Sequence, residues 1–253
     1  MKLVLRQTLA LTVRQLLAIW RQPWFVAITI VQPIIWLLLF GGMFKRVVDL
    51  PGFHGGSYVE FLTPGIVVMS ALFSAGWHGM SIVNALERGI MDRFVVSPVW
   101  RGSLIAAGIL HSVVVIVIQS LVIVGLAFAV GARFSFTAVV LMLALAALLG
   151  SAVTALSDGL ALVARQEETL IGAVQFVVLP ATFLSSGMMA MNLLPGWIQG
   201  IARFNPVNWA VTASRAAGSD WALVGTRAAL LAGLVLGCAA LATRAFRVYQ
   251  RAV

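Results

Sequence analysis

Thr137–Val163 reads TAVVLMLALAALLGSAVTALSDGLALV, and its only charged side chain is Asp158. An α-helix rises 1.5 Å per residue, so roughly 20 apolar residues cross the hydrocarbon of a bilayer. The stretch is long enough to span. Five more runs of the same kind flank it: Trp24–Phe44, Phe61–Leu86, Leu104–Val130, Thr169–Ala190 and Trp221–Thr243. No succession of alternating ten-residue segments is present, which argues against a transmembrane β-barrel. The first run is too long for a signal peptide, and no small-residue cleavage pattern follows it.

Composition agrees. Of 253 residues, 61% are hydrophobic and 10% are charged, with a mean hydropathy of +1.03. Soluble domains carry about 25% charged residues, so a water-soluble enzyme, a disordered chain and, with Cys238 alone, a disulfide scaffold are all excluded. The net charge of +9 does not point to nucleic acid, because the bases fall in the short segments between apolar runs, where positive charge orients a membrane protein. One side holds 11 Lys and Arg (Lys2, Arg6, Arg14, Arg21, Arg88, Arg93, Arg101, Arg165, Arg244, Arg247 and Arg251) and the other 6 (Lys45, Arg46, Arg133, Arg203, Arg215 and Arg227). That bias places both termini in the cytoplasm. The expectation is a multi-pass, all-α protein of the cytoplasmic (inner) membrane. It forms one domain of six transmembrane helices over residues 1–253.

Four segments are neither span nor short turn. In residues 1–21, Leu5, Leu9, Thr12, Leu16 and Ile19 share a helical face, with Lys2, Arg6, Arg14 and Arg21 towards the other. Such a basic amphipathic helix lies flat among anionic headgroups, with Pro23 as the break before the first span; a plain topogenic signal is the simpler alternative. Lys45–Glu60 is a turn-rich outer loop with Pro51, Gly52, Gly55 and Gly56. Glu87–Ser103, on the inner side, reads ERGIMDRFVVSPVWRGS. Ile90, Met91, Phe94 and Val95 make one apolar side of a short helix that Ser97-Pro98 ends. It is either a handle for a soluble partner or a solvated loop that sets topology. Gly187–Asp220, on the outer side, is too broken to span and too apolar to be solvated. Leu193–Phe204 and Val207–Ala217 read as two short helices parted by Asn205-Pro206, re-entrant or interfacial over residues 191–218, with Trp197 and Trp209 in the aromatic belt.

The chemistry is sparse. A phosphate-binding P-loop needs Lys after Gly, and Lys2 and Lys45 follow Met1 and Phe44, so ATP must be bound, if at all, by another chain. His54, His78 and His111 make no metal motif. His78 and His111 read as intramembrane groups that bond across helix interfaces. Asp158 is the one acid within a span, either a functional group, as a costly intramembrane charge suggests, or a structural one that snorkels towards Arg165. Ser185 and Ser186, with His78 or His111 as base, are the only constellation for an intramembrane serine hydrolase, but no glycine-rich nucleophile turn precedes them. A non-transporting scaffold is the third reading. No chain of intramembrane acids and no two-half repeat supports an ion-driven transporter.

The order of elements resembles that of the type-2 ABC transporter permeases, the group with daunorubicin-exporter and nodulation-factor-exporter membrane subunits. Glu87-Arg88-Gly89, Asp92-Arg93-Phe94, Ser97-Pro98 and Arg101-Gly102 are similar to the family's inner segment. Phe183 through Gly187, Leu194-Pro195-Gly196-Trp197-Ile198, Asn205-Pro206 and Val211 to Arg215 resemble its outer signature. Ala190 and Met191 stand where the family usually has proline, and Thr212 where an acid commonly precedes the arginine. The resemblance implies a permease that pairs with a second, identical or homologous permease subunit among membrane lipids and docks two ABC ATPase subunits. ATP and Mg sit on the ATPase, and this chain binds no cofactor, metal or nucleic acid. Residues 87–103 become the coupling segment, Arg165, Glu167 and Glu168 a second cytoplasmic contact, and Gly187, Pro195, Trp197, Asn205, Pro206 and Arg215 the outer motif. Export of an amphipathic drug, lipid or glycolipid is implied in the same way.

Overall fold

In the computed structural model, residues 8–13, 15–17, 23–45, 57–89 and 101–252 are described; side chains of 23–28, Arg101, Gly102, Leu104 and 249–252 are not. All regular structure among them is helical. The long elements are α1 (Pro23–Met43), α2 (Tyr58–Gly76) continued by a 3-10 turn (Trp77–Gly79) into α3 (Met80–Glu87), α4 (Arg101–Ala129), α5 (Phe136–Ala164), α6 (Glu167–Phe183) and α9 (Trp221–Ala252). Two short helices, α7 (Gly196–Ala202) and α8 (Pro206–Arg215), lie between α6 and α9.

Four of these are long and apolar enough to cross a membrane: Tyr58–Glu87, Ile105–Ala129, Phe136–Ala164 and Trp221–Val248. They coincide with four of the runs in the sequence. The first run falls on α1, in which Thr29–Met43 forms an apolar helical stretch. The run Thr169–Ala190 is not one helix. Helix α6 stops after 17 residues at Phe183. There the Ser185 hydroxyl donates to the Thr182 carbonyl at 2.6 Å and accepts from Gly187 N–H at 3.2 Å, so side-chain bonds replace the helical ladder. The outer helices are likewise shorter than Leu193–Phe204 and Val207–Ala217, with a separate 3-10 turn at Met191–Leu193.

Helix α5 is the hub. It packs against α2, α4, α6, α8 and α9, and its buried positions are rich in small residues: Ala146, Gly150, Ser151, Ala152, Ala155, Ser157, Gly159 and Ala161. Lipid is as apolar as leucine, so helices in a bilayer gain by close packing and by hydrogen bonds between them, and small side chains permit both. Backbones come close at Gly159, where a Cβ would sit 3.0 Å from the Ala242 Cα of α9. Larger apolar side chains fill the space between the helices, with Leu145, Leu149, Leu170 and Leu231 in one buried cluster and Leu37, Leu62, Ile116 and Ile123 in another.

The N-terminal residues 8–13 and 15–17 are helical. Thr12 is buried and reaches the Ala107 carbonyl at the start of α4 (3.5 Å), whereas Leu9, Val13 and Leu17 form an exposed apolar stripe. Thr12 therefore turns towards protein and not, with Leu9, towards lipid. Lys2, Leu5, Arg6, Arg14, Ile19 and Arg21 lie outside the described residues.

Gly159→Leu should lower stability by about 1–3 kcal/mol, the cost of overpacking a tight site. Gly172→Leu should leave it unchanged, because nothing lies within 4 Å of a Cβ there. Unfolding midpoints of the two variants in one detergent check this.

Candidate functional site

One end of the molecule carries the residues of the inner segment. Helix α3 ends at Glu87, Arg88 is its C-cap, and Gly89 follows with φ +62°. The Arg88 N–H returns to the Asn84 carbonyl (3.2 Å) and the Gly89 N–H to Leu86 (3.0 Å). This is a left-handed helix stop, a conformation that glycine adopts without strain, and it gives a physical reason for the glycine in the motif. Glu87 and Arg88 are exposed. Asp92, Phe94, Arg93, Ser97 and Pro98 lie outside the described residues, as does the Arg101 side chain.

Beside that stop lies the α5–α6 turn. Arg165 caps α5 in the left-handed region (φ +55°) and is exposed, and Glu167 and Glu168 sit in the first turn of α6, where a helix favours negative charge. Asn84 ties the two together. Its Nδ2 donates to the Met80 carbonyl at 2.8 Å and to Glu167 Oε1 at 3.3 Å. Glu87, Arg88, Gly89, Arg165, Glu167 and Glu168 thus gather at one end, and Glu167 is bonded to the stem of the neighbouring segment.

At the other end the outer motif forms a knot. Asn205 caps α8 by accepting from Val207 N–H (2.9 Å), with Pro206 at the first helical position. Its Nδ2 donates to the carbonyls of Ala181 (2.6 Å) and Leu184 (2.8 Å) at the end of α6. Asn208 Oδ1 accepts from the Ser186 amide (3.1 Å) and hydroxyl (2.6 Å). The Arg215 guanidinium donates to the carbonyls of Ser186 (2.7 Å), Gly187 (3.0 Å) and Phe61 (2.9 Å) and lies 3.6 Å over the Phe61 ring. Burial pulls its pKa down to about 9, so it remains a cation at neutral pH.

The two departures from the family pattern have simple geometry. Arg215 is met by carbonyl dipoles and a ring, so no acid is needed at Thr212, whose hydroxyl bonds back to Asn208 O at 2.7 Å. Ala190 has φ −63°, the angle a proline ring imposes. Pro195 ends the 3-10 turn region at the start of α7, and Trp197, Ile201 and Phe204 point outward, 65%, 45% and 80% exposed. Trp209 instead packs against the core and donates to Arg203 O at 2.7 Å.

The middle of the molecule holds polar groups that sequence reading assigned differently. Asp158, 1% exposed, does not reach for Arg165; its Oδ1 is 2.7 Å from His78 Nδ1. A buried carboxylate gains more from a partner at its own depth than from one two turns away. The expected cross-interface bond of His78 is therefore made, to α5. The His111 ring is 5.3 Å from that of His78. Neither ring serves the serines. Ser186 donates to Asn208, and Gly187 packs on Gly65, which is about 20 Å from His78 along α2 and into the 3-10 turn at 1.5 Å per residue. Ser157, which sequence reading passed over, bridges the break in span two. Only its place one residue before Asp158 hinted at it.

Residues 6–217 match the ABC-2 type transporter family. The chain belongs to that family. Among its relatives is the daunorubicin resistance ABC transporter permease protein DrrB1 of Streptomyces coeruleorubidus, 29% identical over 228 residues that cover 86% of this chain and 78% of the relative. The probable doxorubicin resistance ABC transporter permease protein DrrC of Mycobacterium tuberculosis is 27% identical over 217 residues, 85% of this chain and 77% of the relative. The inner membrane transport permease YadH of Escherichia coli is 26% identical over 225 residues, 83% and 81% of the two chains. In this ABC-2 family member, the inner segment and the outer knot sit at opposite ends of the same bundle.

Arg215→Ala should cost at least about 1.5–3 kcal/mol, the worth of one hydrogen bond to a charged group, with Arg215→Lys intermediate because an ammonium lacks the planar fork. Ala190→Pro should hold stability or raise it by about 0.4–1 kcal/mol. Equilibrium unfolding of the purified variants reads both.

Proposed function

We propose that this chain is the membrane-spanning permease subunit of an ATP-driven exporter. The observation that carries the proposal is the left-handed stop at Gly89, which ends span two close to the α5–α6 turn with Glu167 and Arg165. A segment entered from such a stop suits docking to a separate ATPase, which the lack of any P-loop lysine calls for. The ATPase, in two copies, holds ATP and Mg, and a second permease subunit, identical or homologous, completes the pathway.

In this reading α1 and α6 cross the bilayer with the four longer helices. Both termini lie in the cytoplasm, and the Glu87 end faces inward, as the excess of Lys and Arg on that side favours. The 8–17 helix rests on the inner leaflet with Leu9, Val13 and Leu17 towards lipid, and α7 sits at the outer leaflet with Trp197, Ile201 and Phe204 towards lipid. Helix α8, with the Arg215 knot, shields the outer exit. Closure of the ATPase dimer on ATP pushes residues 87–103, with Arg165, Glu167 and Glu168 as a further contact. The push shifts the permease pair between inward and outward access, which requires that ATP bind the two states differently. The spans carry few polar side chains, and two relatives are named for resistance to daunorubicin and doxorubicin, so an amphipathic drug, lipid or glycolipid suits the pathway.

Co-purification from the native membrane tests the proposal. An ABC ATPase should accompany the wild-type chain, and its persistent absence would contradict the reading. Gly89→Trp, which forces a bulky side chain into positive φ, and Asp92→Lys should insert normally yet lose most transport in proteoliposomes. Wild-type transport by both would remove the coupling role.

A further inference from the structure

The span Tyr58–Glu87 is interrupted once, at the 3-10 turn Trp77–Gly79. There the Met80 N–H bonds to the Trp77 and His78 carbonyls, the short spacing of a 3-10 turn, while the Trp77 N–H still reaches Phe73 as in the regular ladder. A single hydroxyl bonds to two backbone groups of this turn. Ser157 Oγ donates to Gly76 O at 2.6 Å and accepts from Gly79 N–H at 3.1 Å. The next residue, Asp158, holds His78, in the centre of the turn, at 2.7 Å.

We infer that Trp77–Gly79 is a joint, latched by Ser157 and Asp158 of α5, that sets the position of α3 and of the coupling segment it carries. The inference rests on the function proposed above and supplies the path by which a push on residues 87–103 reaches the core. Three features make it a joint and not a mere kink. First, half of the latch exists only while the helix is broken: if the span straightens, the single Gly79 N–H goes to Ala75 O four residues back and gives up Ser157 Oγ, whereas Gly76 O, with two lone pairs, can keep the Ser157 hydroxyl. The two arrangements exchange hydrogen bonds one for another, which is the requirement for two discrete states.

Second, there is no room to slip by small steps. A Cβ on Gly79 would lie 2.6 Å from both Ser157 oxygens, and one on Gly108 of α4 would lie 2.7 Å from Asp158 Oδ2 and 2.9 Å from His78 Cε1. Three helices therefore meet at one point, and packed contacts of this kind switch between arrangements and do not deform smoothly. Third, a spare partner is in place. Both ring nitrogens of His111, one turn beyond Gly108 on α4, are buried without a hydrogen bond, and the ring is 5.3 Å from His78. His111 is the group to which Asp158 passes when His78 swings away with α3. Ser157, Asp158 and His78 are positioning residues, since none touches cargo or nucleotide.

Spin labels at Glu87→Cys and Glu168→Cys, both exposed sites on the two sides of the joint, report the angle of α3 against α6 in the full chain in nanodiscs, with Cys238→Ala removing the native thiol. Electron–electron distance measurements should give one narrow distribution for the latched chain. Ser157→Ala and Asp158→Leu should add a second or broader population, and Asp158→Asn, which keeps an acceptor for His78, should restore the narrow one. A purely structural role predicts lower thermal midpoints with an unchanged distance in the folded fraction, and that result would overturn the joint. Should Asp158→Leu fail to fold, Ser157→Ala, which removes one hydroxyl, decides alone. These distances need no ATPase, so they stand whether or not the permease reading survives. In the ATPase complex, Ser157→Ala should also lower substrate moved per ATP hydrolysed by about tenfold; an unchanged ratio would sever the joint from coupling.

Discussion

A backbone that breaks inside hydrocarbon has no water to bond, so every freed N–H and C=O must be met by protein. Among the described residues the backbone leaves its helix at 77–79 within span two and at 184–190 after α6, and each is met by side chains from other helices. Ser157 serves the first with one hydroxyl. Asn205, Asn208 and Arg215 serve the second with side-chain hydrogen bonds to Ala181, Leu184, Ser186 and Gly187, and Arg215 ties it to Phe61 as well. The rest of the bundle depends on this. Helix α5 can act as a hub of small residues only because the helices around it keep their polar backbone closed while bending to fit.

The two breaks differ in kind. The outer one is over-determined: a cation, two amides and two serine hydroxyls hold it, and the Tyr58 hydroxyl adds a bond to Met188 O at 2.9 Å. The inner one hangs on one serine and one carboxylate. In the proposed reading the bundle is held by many bonds at one end and by few at the other, near the segment that the family resemblance makes the point of drive. Arg215 also shows how a buried cation is tolerated without an acid, since carbonyl dipoles converge on it and the Phe61 ring presents its negative face.

Much of the architecture was legible in the sequence because hydrocarbon thickness sets helix length. Phe61–Leu86, Leu104–Val130, Thr137–Val163 and Trp221–Thr243 each mark a crossing-length helix, and Asn205-Pro206 marks the start of α8 through cap chemistry. The end of α6 was not legible. Hydropathy continues through Leu184 to Ala190, and only the local competition of Ser185 for backbone bonds stops the helix. The partner of Asp158 was hidden for a different reason. His78 is 80 residues away, and pairing at that separation follows from how spans two and four face each other, which periodicity does not encode. The left-handed Gly89 was visible as a motif residue, but its conformation required the fold. Asp92 through Pro98 stay with the sequence alone.

The central claim is that residues 87–103 face the compartment where ATP is made, and their side of the membrane measures it most directly. Single cysteines at Glu87, Asp92 and Arg101, in a Cys238→Ala background, can be challenged with a membrane-impermeant maleimide. The account predicts labelling in inside-out vesicles and none in intact spheroplasts. Labelling from the outer face of intact cells would contradict it.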